Sequence, residues 1–245
     1  MKLPRWLRRD RANESATSSP HADSPGADGH RDTLDPLALV RWVPASENPF
    51  GVEVLDCSIF AGSMVATTNR ADVATRFAEL RASRGEQCDR TETSAVRIAC
   101  HLVYPLSRHV DGPVFRAAQM EDKWDVFLFD GVLYFTRSWT GDVAYRARVT
   151  FGDSLAVITE ILSERETGAS EDPLGAVDYL VKSHVYGLVA PHPLPRTDPT
   201  HTADLALWSY SCYGRRGICG TMEDVTHLGV RRTPDNRCTL ARPAR

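Results

Sequence analysis

Lysine is scarce in this chain. It occurs three times, at Lys2, Lys123 and Lys182, against 26 arginines, a bias that together with the many alanines fits a GC-rich bacterial genome. A net charge of -3 argues against a nucleic-acid binder. No run approaches the roughly 18 apolar residues that a membrane-spanning helix needs. None of the six cysteines forms a C-x-x-C pair, so no closed zinc site is indicated. A secretory apolar core is missing as well, and the expected location is cytoplasmic, with free thiols. Neither H-x-x-x-H nor H-E-x-x-H occurs among the eight histidines, so neither a metal nor a cofactor is expected. There is no G-x-S-x-G elbow, and Ser138 has no sequence neighbour that would activate it. Gly214-Arg215-Arg216-Gly217 lacks the Walker spacing and the strand-to-helix setting of a phosphate loop. These absences leave no complete catalytic constellation.

What is present centres on residues 123–151, KWDVFLFDGVLYFTRSWTGDVAYRARVTF. Asp130-Gly131 sits between two apolar runs and tolerates the positive φ angles of a two-residue type I′ hairpin. That turn sets Phe129 opposite Val132, Leu128 opposite Leu133, Val126 opposite Phe135 and Trp124 opposite Arg137. Alternation then gives one face to Trp124, Val126, Leu128, Leu133, Phe135, Arg137 and Trp139, the drier face apart from the arginine. A second turn at Thr140-Gly141-Asp142 leads into a third strand. A three-residue loop pairs Arg137 with Tyr145 and Trp139 with Val143, and keeps Arg146 off the dry face.

The expected fold class is α+β: an antiparallel sheet with a central three-stranded meander over about 123–151 and two or three flanking helices. Residues 1–36 read as a leader, 37–210 as a single domain, and 211–245 as a glycine-rich loop with a basic tail. Residues 12–35 are too poor in large apolar groups to offset ordering entropy. Residues 1–11 carry Leu3, Trp6 and Leu7 among basic residues, which suits either a disordered leader or contact with a membrane surface. Phe50 to Thr67 reads as one or two strands, Ala71 to Arg84 as a helix and Val96 to Tyr104 as a buried strand. Val114 to Met120 reads as a further strand. Ser154 to Leu162 fits either element, with a strand preferred. Asp172-Pro173 starts a helix that stops near Gly187 and carries His184. Pro191 to Pro195 is stiff extended chain. Thr202 to Tyr210 is a short helix. Ser163 to Glu166 contains an E-x-E spacing without its accompanying motifs.

The run DGVLYFTRSWTG, with Trp124 before it and Tyr145 after it, resembles a pattern in uncharacterised bacterial proteins in which such a meander precedes a helix and a proline-containing segment. The resemblance spans roughly residues 48–195 and implies the meander, but no activity and no functional residue.

Arg137 is the residue the sequence singles out. Trp124 and Tyr145 lie across from it, and Phe135 and Trp139 lie beside it. Aromatic faces cover a guanidinium without accepting its five N–H donors. Its acceptors come from inside, with Asp125, Asp142 and the helix after Asp172 as sources, or from an anionic ligand or partner. The expected binding residues are therefore Arg137, Trp124, Trp139 and Tyr145, joined by Arg215 and Arg216. The expected function is a non-enzymatic partner-binding or regulatory (immunity-type) module, with a protein or a small anion as partner. The alternative is an enzyme acting on a phosphorylated or nucleotide-like substrate, with arginines holding the anion.

Overall fold

The computed structural model describes residues 35–88, 96–105, 110–164, 172–195 and 201–220, with the backbones of 230–232 and 238–240. The leader, the E-x-E glutamate at 166 and the end of the tail lie outside the described residues. In chain order the elements are β1 (Arg41–Val43), β2 (Val54–Asp56), α1 (Ser58–Ser63), α2 (Ala71–Ala82), β3 (Val96–Pro105), β4 (Gly112–Phe115), β5 (Trp124–Phe129), β6 (Val132–Arg137), β7 (Val143–Phe151) and β8 (Leu155–Ser163). There follow α3 (Pro173–Leu180), a π-helical turn (Val181–Val185), α4 (Thr202–Tyr213), β9 (Ile218–Gly220), β10 (Val230–Arg232) and β11 (Cys238–Leu240). The fold is α+β. Its main sheet is antiparallel, in the order β3-β8-β7-β6-β5-β4, and a smaller one runs β1-β2-β9.

The hairpin β5–β6 has the expected register, from Phe129 opposite Val132 to Trp124 opposite Arg137. Asp130 and Gly131 take φ angles of 51° and 72°, as a type I′ turn requires. The next turn differs. Arg137 N–H donates to Asp142 O at 2.9 Å, which encloses a four-residue loop. Gly141 within it takes φ 81°. A bulge at Ala144 then restores alternation, so Tyr145 faces Phe135 rather than Arg137, and Val143 faces Thr136 rather than Trp139. The register is shifted by two, which keeps every later side chain on its expected face.

Both faces of the meander are covered. Trp124, Phe135, Tyr145, Ile158 and Ile161 pack with Tyr179 and Leu180 of α3. On the opposite side Phe127, Tyr134 and Val143 pack with Cys88. The Arg81 guanidinium reaches over from α2 to grip Asp125 with both nitrogens, one at 2.8 Å. The face expected to be the wetter one is buried as well, because this arginine neutralises the fully buried Asp125.

Four further expectations are corrected. Val96–Pro105 is an edge strand with half its side chains in solvent, because β-branched richness does not distinguish an edge from a centre. Ser58–Ser63 is helical, started by Asp56 Oδ1 accepting from Ser58 N at 2.9 Å. The strand before the meander ends at Phe115, after which Ala117 N–H turns to Asp125 at 2.7 Å. The stretch 212–221 holds the end of α4 and the strand β9.

The segment 154–162 is a strand. Asp172 caps α3 by accepting from Gly175 N at 3.1 Å. After Leu180 the helix widens, and Tyr186 N–H reaches Val181 O at 3.1 Å, a π-type bond five residues back.

Candidate functional site

The end of the meander meets the C-terminus of α4, where four carbonyls lack helical partners. Arg137 supplies two of the missing donors. Its Nη1 donates to Cys212 O at 3.1 Å and its Nη2 to Ser211 O at 3.0 Å. Trp124 Nε1–H adds a bond to Cys212 O at 2.8 Å, and the guanidinium lies 4.6 Å from the centre of the Trp124 ring. Tyr145 stacks on the Trp124 ring, with centroids 5.8 Å apart. A cation at the negative end of a helix is favourably placed, while burial pushes the arginine's pKa below its usual value. The acceptors are thus backbone carbonyls of α4. Neither Asp125, held by Arg81, nor the helix after Asp172 supplies them.

α4 stops at Gly214, whose φ is 71°. A Cβ there would collide with the carbonyl oxygen of Glu121, so only glycine lets the two chains touch. This contact brings residues 120–123 against Tyr210. The Lys123 ammonium consequently sits between two rings, 4.6 Å from the centre of Tyr210 and 4.9 Å from that of Trp139. Trp139 Nε1–H donates to Met120 O at 2.6 Å, and Lys123 Nζ donates to the same oxygen at 3.3 Å. Burial and the neighbouring Arg137 push the lysine's pKa down to about 8. At the rim, Arg215 lies 3.4 Å from Glu121 Oε1, which also accepts from Ala66 N at 3.2 Å.

The six residues expected to bind are split. Arg137, Trp124 and Tyr145 form one cluster, and Trp139 and Arg215 belong to the adjoining group around Lys123. Arg216 turns away. It donates to Ser183 O in the π-helical turn and lies 5.7 Å from the centre of the Phe115 ring. There Ser183 Oγ–H donates to Tyr179 O at 2.7 Å, so His184 Nδ1–H is the donor in its 2.7 Å bond to Ser183 Oγ. The same helix buries Asp178, which accepts from the Tyr104 hydroxyl at 2.7 Å and pairs with Lys182 Nζ at 2.7 Å.

One further pair has no signal in the sequence. His192 Nδ1–H donates to Pro193 O at 3.0 Å, which leaves Nε2 to accept from Ser209 Oγ–H at 2.8 Å. A hydroxyl on an oriented imidazole is the arrangement of a nucleophile and its base. Here both side chains are 0% exposed, sealed by Tyr213, Tyr179 and Trp208. Burial pushes the His192 pKa down to about 3, which makes it a poor base at neutral pH. The residues stand 17 apart on a proline segment and a helix, a juxtaposition that no spacing rule anticipates. No group of three or more metal-ligating side chains occurs among the described residues.

Fold and site together define an α+β protein in which a helix C-terminus is clamped by an arginine–tryptophan pair. Comparison with known proteins finds no match among family models, curated proteins or solved structures. Among the described residues no helix is long and apolar enough to cross a membrane.

Proposed function

We propose that the chain is a non-enzymatic, cytoplasmic binding module of the partner-binding or regulatory (immunity-type) class, and that it receives an extended segment of a protein partner along β3. Kinship with bacterial proteins carrying the DG-LYF-RSWTG meander belongs to the same reading. The observation that carries it is the edge. β3 runs ten residues, and among the described residues only β8 pairs with it. An open edge offers a row of backbone donors and acceptors to an incoming strand. The groups that would otherwise suggest chemistry are spent internally: Arg137 on the carbonyls of α4, and His192 and Ser209 on each other. The alternative of an enzyme acting on a phosphorylated substrate has one observation in its favour, the buried Lys123 ammonium, which no carboxylate pairs with among the described residues.

The test is a pull-down with the full chain and with Val96→Lys/Ala99→Lys, which places charge on two exposed edge positions. One stoichiometric protein should return with the wild type and be lost with the variant, while the variant's melting temperature is kept. A partner that binds both equally would remove β3 as the docking edge.

A further inference from the structure

The geometry points to an oxyanion subsite built by Lys123, Tyr210 and Arg215, suited to the phosphoryl group of a small phosphate monoester. It is independent of the edge-strand reading and is tested without it.

Two buried donors at this place are short of acceptors, Lys123 with a single long bond and the Tyr210 hydroxyl with none among the described residues. Lys123 is 6% exposed. It has one carbonyl, Met120 O, at 3.3 Å, and no carboxylate pairs with it among the described residues. The rings of Trp139 and Tyr210 cover the ammonium but do not replace hydrogen-bond acceptors. Tyr210 is 7% exposed, and its hydroxyl has no hydrogen-bond partner among the described residues. Buried side-chain donors nearly always have one, so such a vacancy calls for an explanation. The two groups share a wall, because the ammonium lies over the tyrosine ring.

The third donor is at the mouth. Arg215 is exposed and touches Glu121 at a loose 3.4 Å, and the charges of both act on the Tyr210 hydroxyl. Among the described residues the charges that act on Lys123 and the Tyr210 hydroxyl are those of Arg137 and Arg215 against Glu121 and Asp122. Arg137 is committed to α4, and Asp122 accepts from Ala118 N at 3.0 Å. An incoming anion has therefore to outcompete Glu121 for Arg215 alone. An ammonium, a phenol and a guanidinium are three kinds of donor, matching in number the three terminal oxygens of a phosphoryl group. A carboxylate offers two oxygens. Burial and Arg137 hold the lysine near pH 8, so it is charged at neutral pH and loses its charge in mild alkali.

Calorimetry on the full chain, with inorganic phosphate and with glycerol phosphate at constant ionic strength, tests the subsite. Saturable binding is expected at pH 7, weaker at pH 9.5. Lys123→Met and Arg215→Gln should each weaken it roughly tenfold or more, and Tyr210→Phe, which keeps the ring, about threefold. If Lys123→Met does not fold, the pair Tyr210→Phe/Arg215→Gln carries the test, since neither change disturbs packing. Tighter binding of the ester assigns an organic phosphate as the ligand, and equal binding assigns phosphate itself. Absence of saturable binding by both probes, or wild-type affinity in Lys123→Met, would overturn the subsite.

Discussion

Arg137 and Lys123 flank one end of the β5–β6 hairpin, and the arginine has two backbone carbonyls aimed at its terminal nitrogens where the lysine has one. Its two terminal nitrogens meet successive carbonyls at a helix end, and a tryptophan covers its face. The lysine, one residue before Trp124, is as deeply enclosed but receives rings on two sides and a single long bond. The difference follows from shape. A planar fork matches two neighbouring carbonyls, whereas a tetrahedral ammonium needs acceptors in three directions. A buried charge is therefore not one kind of object. Where its donors are spent it ties elements together, and where they are open it is a cost that a ligand can remove.

The largest expected effect separates both cations from the polar groups that are buried neutral. His184 and His192 have pKa values well below normal because burial disfavours their charged forms. The folded values lie below the unfolded value of about 6.5, so the unfolded chain takes up protons first. The stability these histidines allow is present above pH 6.5 and lost as pH falls below it. His192 alone should remove about 2 kcal/mol between pH 7 and pH 5, and His184 adds to the loss in the same direction. Urea unfolding at pH 7, 6 and 5 measures this. A flat profile would mean that the histidines are solvated or carry protons when folded.

The next effect strikes the satisfied cation. Arg137→Met keeps most of the side chain's length and apolar packing, and removes both bonds to α4. Trp124 Nε1 still serves Cys212 O, so Ser211 O is the acceptor left bare. A loss of about 2–4 kcal/mol in denaturant unfolding is expected, from two charge-assisted bonds and one orphaned carbonyl. A loss under about 0.5 kcal/mol would show that water replaces the guanidinium at no cost.

The sequence made half of this comparison legible. The Asp130-Gly131 turn and strict alternation placed Trp124 opposite Arg137, and the need for acceptors followed from the chemistry of the guanidinium. Which acceptors they are was not legible, because α4 lies 65 or more residues beyond Arg137 in the chain. Alternation does not fix the turn after Arg137, since a four-residue loop with a bulge preserves the same alternation as a three-residue loop two residues out of register. Nothing in the sequence distinguishes Lys123 from any lysine that precedes a strand. Its environment depends on Gly214 letting α4 touch Glu121, a contact between segments more than 90 residues apart. Edge and centre were likewise indistinguishable in VRIACHLVY, because pairing on the second side is a property of the fold.

The smallest effect is opposite in sign and falls on Lys123. Its folded pKa of about 8 lies below the usual value of 10.5, so between those values the unfolded chain binds the proton that the folded chain has lost. Stability should accordingly rise with pH through this window, by about 2 kcal/mol from pH 8 to pH 10 for this group alone. The thiols of Cys100, Cys212 and Cys219, raised above their usual value, act against it from about pH 8.5, and Tyr104, Tyr179 and Tyr210 do so near the top of the window, because the unfolded chain gives up these protons first. Lys123→Met replaces the ammonium with a side chain that packs well against rings. At pH 7 the variant should be about 1–2 kcal/mol more stable than the wild type, the desolvation cost being partly offset by the lost ring contacts. That margin should shrink as pH rises from 8 to 10, because the wild-type lysine becomes neutral too. Paired urea titrations at pH 7, 8.5 and 9.5 read the margin directly. A destabilised variant would place Lys123 with Arg137 among the satisfied cations, and a margin that does not change with pH would locate its origin in packing rather than charge.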